Sequence, residues 1–175
     1  MKLKDLIKKY LIPKEPEQQQ EPKDTTTIYT FNVAGISYHY DELNKIINGL
    51  TSEYMLKKYQ GMTNSEIIEL DHNLCIYEEQ YIKGCKLEPY VYKGKDAIKV
   101  ILPDYKGKWY EVGNVPKNSI ETVINLLEEE KITNIEFEIV GGDVKAIEYD
   151  DNNKPYIDEY DINYGVAIYI TYKTE

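Results

Sequence analysis

Arginine is absent: all 21 basic residues of this 175-residue chain are lysines. No site can therefore rest on the planar guanidinium fork that grips a carboxylate or phosphate through two parallel hydrogen bonds. Cysteine is scarce too, at Cys75 and Cys85 only, which excludes a disulfide framework. With no apolar stretch followed by small residues near the N-terminus, the expectation is a cytoplasmic protein with reduced thiols. His72 could join the two cysteines as a partial zinc site, but no fourth ligand stands at a recognisable spacing, so neither metal nor other cofactor is expected. No run approaches the roughly 20 apolar residues that a bilayer-spanning helix needs. Ser/His/Asp spacing, a phosphate-cradling glycine loop and a Cys/His nucleophile pair are all missing, so the chain is not expected to be an enzyme.

What is present suits one domain with an appendage, since 42% apolar residues can furnish a core and 30% charged residues keep it soluble. The 31 acids give a net charge of -10, which argues against a general polyanion binder. Placement says more than the sum. Residues 1–24 carry a net +1, 25–82 carry -5, 83–117 carry +4 and 118–175 carry -10. Only the central block is basic, and there Tyr90, Tyr92, Tyr105, Trp109 and Tyr110 interleave with Lys86, Lys93, Lys95, Lys99, Lys106 and Lys108. A single-strand groove uses that mixture, amines for phosphates beside rings for bases, although a half-exposed sheet face shows it too.

Along the chain, Leu3, Leu6, Ile7, Tyr10 and Leu11 recur at helical spacing opposite Lys2, Lys4, Lys8 and Lys9, which predicts a short basic amphipathic helix ending before Pro13. Three prolines and three glutamines in residues 13–24 make a tether. The domain proper is expected over 25–175, opening with a strand through Ile28–Ala34. A helix is predicted from an Asp41 N-cap to Gly49, resuming toward Tyr59, with another over Asn64–Leu70. Short strands are predicted at Leu74–Tyr77, Cys85–Leu87, Ala97–Leu102 and Trp109–Val112, the last two forming a hairpin about Asp104–Gly107. Ile120, Val123, Ile124 and Leu127 set a helix over Ser119–Glu130, with Asn118 and Glu121 as a capping-box variant. Strands Ile135–Val140 and Val144–Tyr149, joined at Gly141-Gly142, and a closing strand Gly165–Tyr172 complete the reading, with Asp150–Lys154 as a hairpin tip. Short strands with one clear helix indicate a mainly β, α+β domain shaped as a small barrel.

The segment Leu87–Val100, LEPYVYKGKDAIKV, resembles the signature of HIRAN domains, matching at Glu88, Pro89, Ala97, Ile98, Lys99 and Val100. Phe31–Tyr38 is similar to the family's opening F-x-V-x-G-x-x-Y, and Tyr110–Lys117 to its G-Y/H-I-P-K element. Gly141-Gly142 and Tyr164-Gly165-Val166 resemble the ends of a bacterial subgroup with an insertion after the first strand, here residues 40–80. The resemblance spans Thr26–Tyr172 and implies an OB-like β-barrel that takes single-stranded DNA by its 3′ end. In that family rings stack on the terminal bases, an acid accepts a hydrogen bond from the terminal hydroxyl and basic groups hold phosphates. Carried over, Tyr38 matches the stacking tyrosine and Lys117 the lysine of the G-x-x-P-K element. The family's Tyr-Asp pair falls on Lys93 and Gly94, its basic residue before the stacking tyrosine on Ser37, and Asp96 stands two positions beyond the missing carboxylate.

Two function classes follow. One is a nucleic-acid binding module using Tyr38, Tyr92, Lys93, Lys95, Lys99 and Lys117. The other is a non-catalytic protein-interaction scaffold that has lost DNA binding, tethered by its N-terminal helix to a second protein or a membrane surface.

Overall fold

The computed structural model describes residues 25–174. The helix and tether expected in residues 1–24 lie outside the described residues. Eight strands form two antiparallel sheets. Strand β1 (Thr26–Asn32), β8 (Pro155–Lys173), β7 (Ile132–Tyr149) and β2 (Leu74–Cys75) lie in that order in the larger sheet, with β3 (Ile82–Lys83) also paired to β7. The smaller sheet is the meander β4 (Lys86–Tyr92), β5 (Lys95–Pro103) and β6 (Trp109–Asn114). Helices α1 (Tyr40–Ser52), α2 (Asn64–Leu70) and α3 (Ile120–Glu128) accompany them.

One core joins most of these parts, while Ile67 of α2, Leu74 of β2 and Val144 and Ala146 of β7 are buried outside it. Phe31, Val33, Phe137, Ile139, Val166, Ile168 and Ile170 supply the larger sheet's inner face, and Leu87, Ile98, Val100, Leu102 and Val112 that of the smaller. Leu43, Ile46, Ile47 and Leu50 bury the stripe of α1, Val123 and Leu126 that of α3. Each strand contributes alternate residues, as a pleat buried on one side requires.

The sheets meet where Ala34 follows β1 and Asn114 ends β6. Ala34 N–H donates to the Asn114 carbonyl and Asn114 N–H to the Ala34 carbonyl, both at 2.8 Å. A Cβ on the neighbouring Gly113 would collide with the Ala34 carbonyl oxygen and with Val33, and its φ is +150°. Only glycine meets both demands. A closed barrel is not formed among the described residues: this isolated bridge is the ladder contact between two otherwise separate sheets.

Several expected elements differ. Gly141-Gly142 is no turn but a register shift inside one 18-residue strand, and β8 begins at Pro155 rather than Gly165. The bend places the Tyr164 ring against Gly142, where any side chain would strike it. Helix α1 runs past Gly49 to Ser52, because that glycine makes room for the Tyr105 ring, 2.6 Å from where its Cβ would sit. No α-helix resumes toward Tyr59: Lys58–Gly61 is a 3-10 turn interrupted at Tyr59 and Gln60, whose φ are 50° and 55°. Asp41 lies in the first turn of α1 rather than at its cap. Helix α3 begins after a 3-10 turn, Lys117–Ser119, with no side-chain cap, whereas a full capping box joins Thr63 and Glu66 at α2. Of the expected hairpins, Asp104–Gly107 and Asp150–Lys154 both turn where placed, each closed by its aspartate accepting two backbone N–H groups.

Glu138 is a buried carboxylate with full compensation. Its Oε1 accepts from the Glu79 N–H at 2.7 Å and its Oε2 from the Tyr169 hydroxyl at 2.5 Å. These bonds clamp residues 78–83 to the back of the larger sheet, where Tyr81 meets Tyr169 edge-on at 5.0 Å. Two outcomes follow. Gly113→Ala is expected to lower the unfolding free energy by at least about 2 kcal/mol, since strain and overlap add at one position; denaturant melts will measure it. Glu138→Gln should cost about 1–3 kcal/mol by leaving one buried partner poorly matched, whereas Glu136→Gln on the same strand should cost far less.

Candidate nucleic-acid interface

The β4–β5 hairpin closes in two residues, since Tyr92 pairs with Lys95 across Lys93-Gly94. Both turn residues have positive φ, 50° and 75°, the type I′ geometry whose twist suits a tight hairpin and favours glycine at the second place. That requirement accounts for Gly94. At the other side of β5, strand β6 ends opposite Lys99. Val115 N–H still reaches the Ile98 carbonyl at 2.9 Å, then Pro116 turns the chain into the 3-10 turn and α3. Residues 95–97 are thus left without a strand neighbour on one edge, and α3 stands off from them.

The gap is a cleft of about 700 Å³. Tyr92, Lys93, Lys95, Asp96 and Ala97 line it from the hairpin, Lys117 from the 3-10 turn, and Ile120, Glu121, Ile124 and Asn125 from α3. Its floor is apolar and its rim carries three ammonium groups. Lys95 and Lys117 are exposed and form no ion pair among the described residues, and the Lys93 Nζ lies 5.2 Å from the Tyr92 ring centre. Four of the six residues expected from sequence therefore converge. The helical spacing of Ile120 and Ile124 predicts only a helix, and nothing in the sequence signals that these two residues line a cleft.

Tyr38 and Lys99 lie elsewhere. Tyr38, 87% exposed, sits on a 3-10 turn, Ile36–Tyr38, and does not line the cleft. Lys99 donates to Glu111 Oε2 at 2.8 Å, and His39 Nε2 is 3.8 Å from Glu111 Oε1. The Glu111 bond and charge hold the Lys99 ammonium above its ordinary pKa, so its charge is already answered. Tyr90 donates to Asn114 Oδ1 at 2.8 Å, with Lys99 Nζ 5.4 Å from its ring centre. Tyr92–Lys95, Tyr90–Ala97 and Glu88–Lys99 are alternate pairs of one ladder, so they share the sheet's outer face at steps of about 6.6 Å. On the same face Lys86 Nζ caps the Trp109 ring at 3.9 Å. Each ammonium over a ring is a weak cation–π contact that a stacking base can replace.

No group of three or more His, Cys, Asp or Glu among the described residues could hold a metal, and both cysteines are free thiols. No described helix is long and apolar enough to cross a membrane. Comparison with protein-family models, curated proteins and solved structures finds no match to the chain.

Burial raises the Cys85 thiol to about 12 and the Tyr164 hydroxyl to about 12. Unfolded, the thiol loses its proton from about pH 9 and the phenol from about pH 10, whereas folded both keep theirs. The unfolded state then binds fewer protons, and stability falls as pH rises. Melting temperature should hold to about pH 8.5 and decline between pH 9 and 12, less steeply in Cys85→Ala. Thiol titration at pH 8 should find Cys85 unreactive until denaturant is added.

Proposed function

We propose that the chain is a HIRAN-like, OB-related module that takes the end of a nucleic-acid single strand in the cleft between the β4–β5 hairpin and α3. The convergence of Tyr92, Lys93, Lys95, Asp96 and Lys117 on one apolar-floored cleft carries this reading. Tyr92 and the faces of Ile120 and Ile124 offer a stacking surface for a terminal base. Lys95 and Lys117 are the free cations for its phosphates. Asp96, paired with Val91 one step beyond the turn-closing Tyr92–Lys95 pair, supplies the carboxylate that the resemblance leaves missing at Gly94, and would accept a hydrogen bond from a terminal hydroxyl. From the cleft the strand continues over Tyr90 toward Tyr38, displacing ring-bound lysines onto phosphates as it goes.

The acidic remainder of the surface opposes indiscriminate binding, so contact is confined to this face and should be strongly salt-dependent. Fluorescence anisotropy with short oligothymidylates ending in 3′-hydroxyl or 3′-phosphate tests the reading. Binding at low salt should weaken by about 1–3 kcal/mol in Tyr92→Ala. Lys95→Glu with Lys117→Glu should abolish it, and Asp96→Asn should erase any preference for the hydroxyl end. Absence of binding at low salt would overturn the reading.

A further inference from the structure

We propose that the outer half of the β7–β8 hairpin is a docking edge that accepts an extended lysine- or arginine-rich segment of another protein as an added strand along β8. Strand β1 pairs only with Ala167–Lys173 of β8. From Pro155 to Ile162 the β8 ladder runs to β7 alone, and no other backbone hydrogen bond to residues 155–162 occurs among the described residues. One edge of this stretch therefore carries N–H and C=O groups with no backbone partner among the described residues, although helix α2 packs against β8. Native edges of that length are normally covered, shortened or guarded.

The edge carries large apolar groups that a free edge has no use for. Tyr156, Tyr160 and Ile162 are each 49% exposed and share one face of the strand with Asp158 between the two tyrosines, while Ile157, Glu159 and Asp161 point to the other face. The ribbon is also held ready. At its base Tyr164 stacks on Tyr77 at 6.2 Å and its N–H reaches the Tyr40 hydroxyl at 3.4 Å; at its tip Asp150 Oδ1 accepts from Asn152 and Lys154. A preformed strand lowers the ordering cost of strand addition.

Charge selects the occupant. Residues 143–162 hold seven acids against two lysines, and Lys145 is turned inward to Asn64, to Glu159 and over the Tyr59 ring. A second copy pairing edge to edge would set Asp158, Glu159 and Asp161 against their own kind, which is destabilising. Nucleic acid is repelled. A basic extended segment with apolar residues at alternate positions satisfies backbone, rings and carboxylates together.

The test uses the full chain and two fluorescein-labelled ten-residue peptides, one alternating lysine with valine and one alternating glutamate with valine, with decalysine as a charge-only probe. Anisotropy should show the lysine/valine peptide binding at least tenfold tighter than either other probe. Hydrogen exchange of residues 155–162 should slow at least tenfold on binding, with residues 26–32 unchanged. Asp158→Lys with Asp161→Lys, and separately Tyr156→Ser with Tyr160→Ser, should each weaken binding at least fivefold. Should a variant fail to fold, exchange on the unmodified chain still decides. Equal binding by decalysine, unslowed exchange at 155–162, or edge protection that instead tracks a doubling of mass without peptide would overturn the proposal.

Discussion

The reciprocal bridge between Ala34 and Asn114, made possible by the missing side chain of Gly113, is the contact on which the rest of the molecule is arranged. It brings the end of β1 against the end of β6, so two sheets share one core without closing into a barrel. It also stops β6 where it does. Because β6 ends there, β5 is left open at residues 95–97, Val115 is pinned to Ile98, and Pro116 sends the chain into the turn that delivers Lys117 and α3. The cleft is the gap that this early stop leaves. Asn114 serves the same junction once more through its side chain, by accepting the Tyr90 hydroxyl and so orienting that ring.

Charge is partitioned on the same frame. The meander sheet is rich in lysines, most of them laid over aromatic rings, and the outer half of the long hairpin is rich in acids. A chain without arginine has only point-charge ammonium groups to work with; five lysines resting on rings of the meander and its turns keep those charges close to flat surfaces. The two faces, one cationic and aromatic, the other anionic with an open backbone edge, are suited to different classes of partner.

Much of the architecture was legible in the sequence. Helix α2 falls on its expected residues, α1 and α3 within a few, and both aspartate-anchored hairpin tips are where the turn chemistry puts them. Local signals sufficed there because spacing and turn residues act over a few positions. Long-range causes were not legible. Gly49 reads as a helix stop but is a socket for Tyr105, and Gly141-Gly142 reads as a turn but is a bend that seats Tyr164. In both cases the reason is a ring from a distant part of the chain. The candidate site divides the same way: Tyr92, Lys93, Lys95 and Lys117 came together, whereas Tyr38 stands apart and Lys99 is held by Glu111, a partner twelve residues away that no motif named.

The measurement that bears most directly on the central claim is a titration of the labelled chain with a short oligothymidylate, followed residue by residue by amide NMR shifts. Shifts should concentrate on Tyr92–Ala97, Lys117 and Ile120–Asn125, extend toward Tyr38, and leave residues 143–162 unmoved. Shifts centred on any other face, or none at low salt, would contradict it.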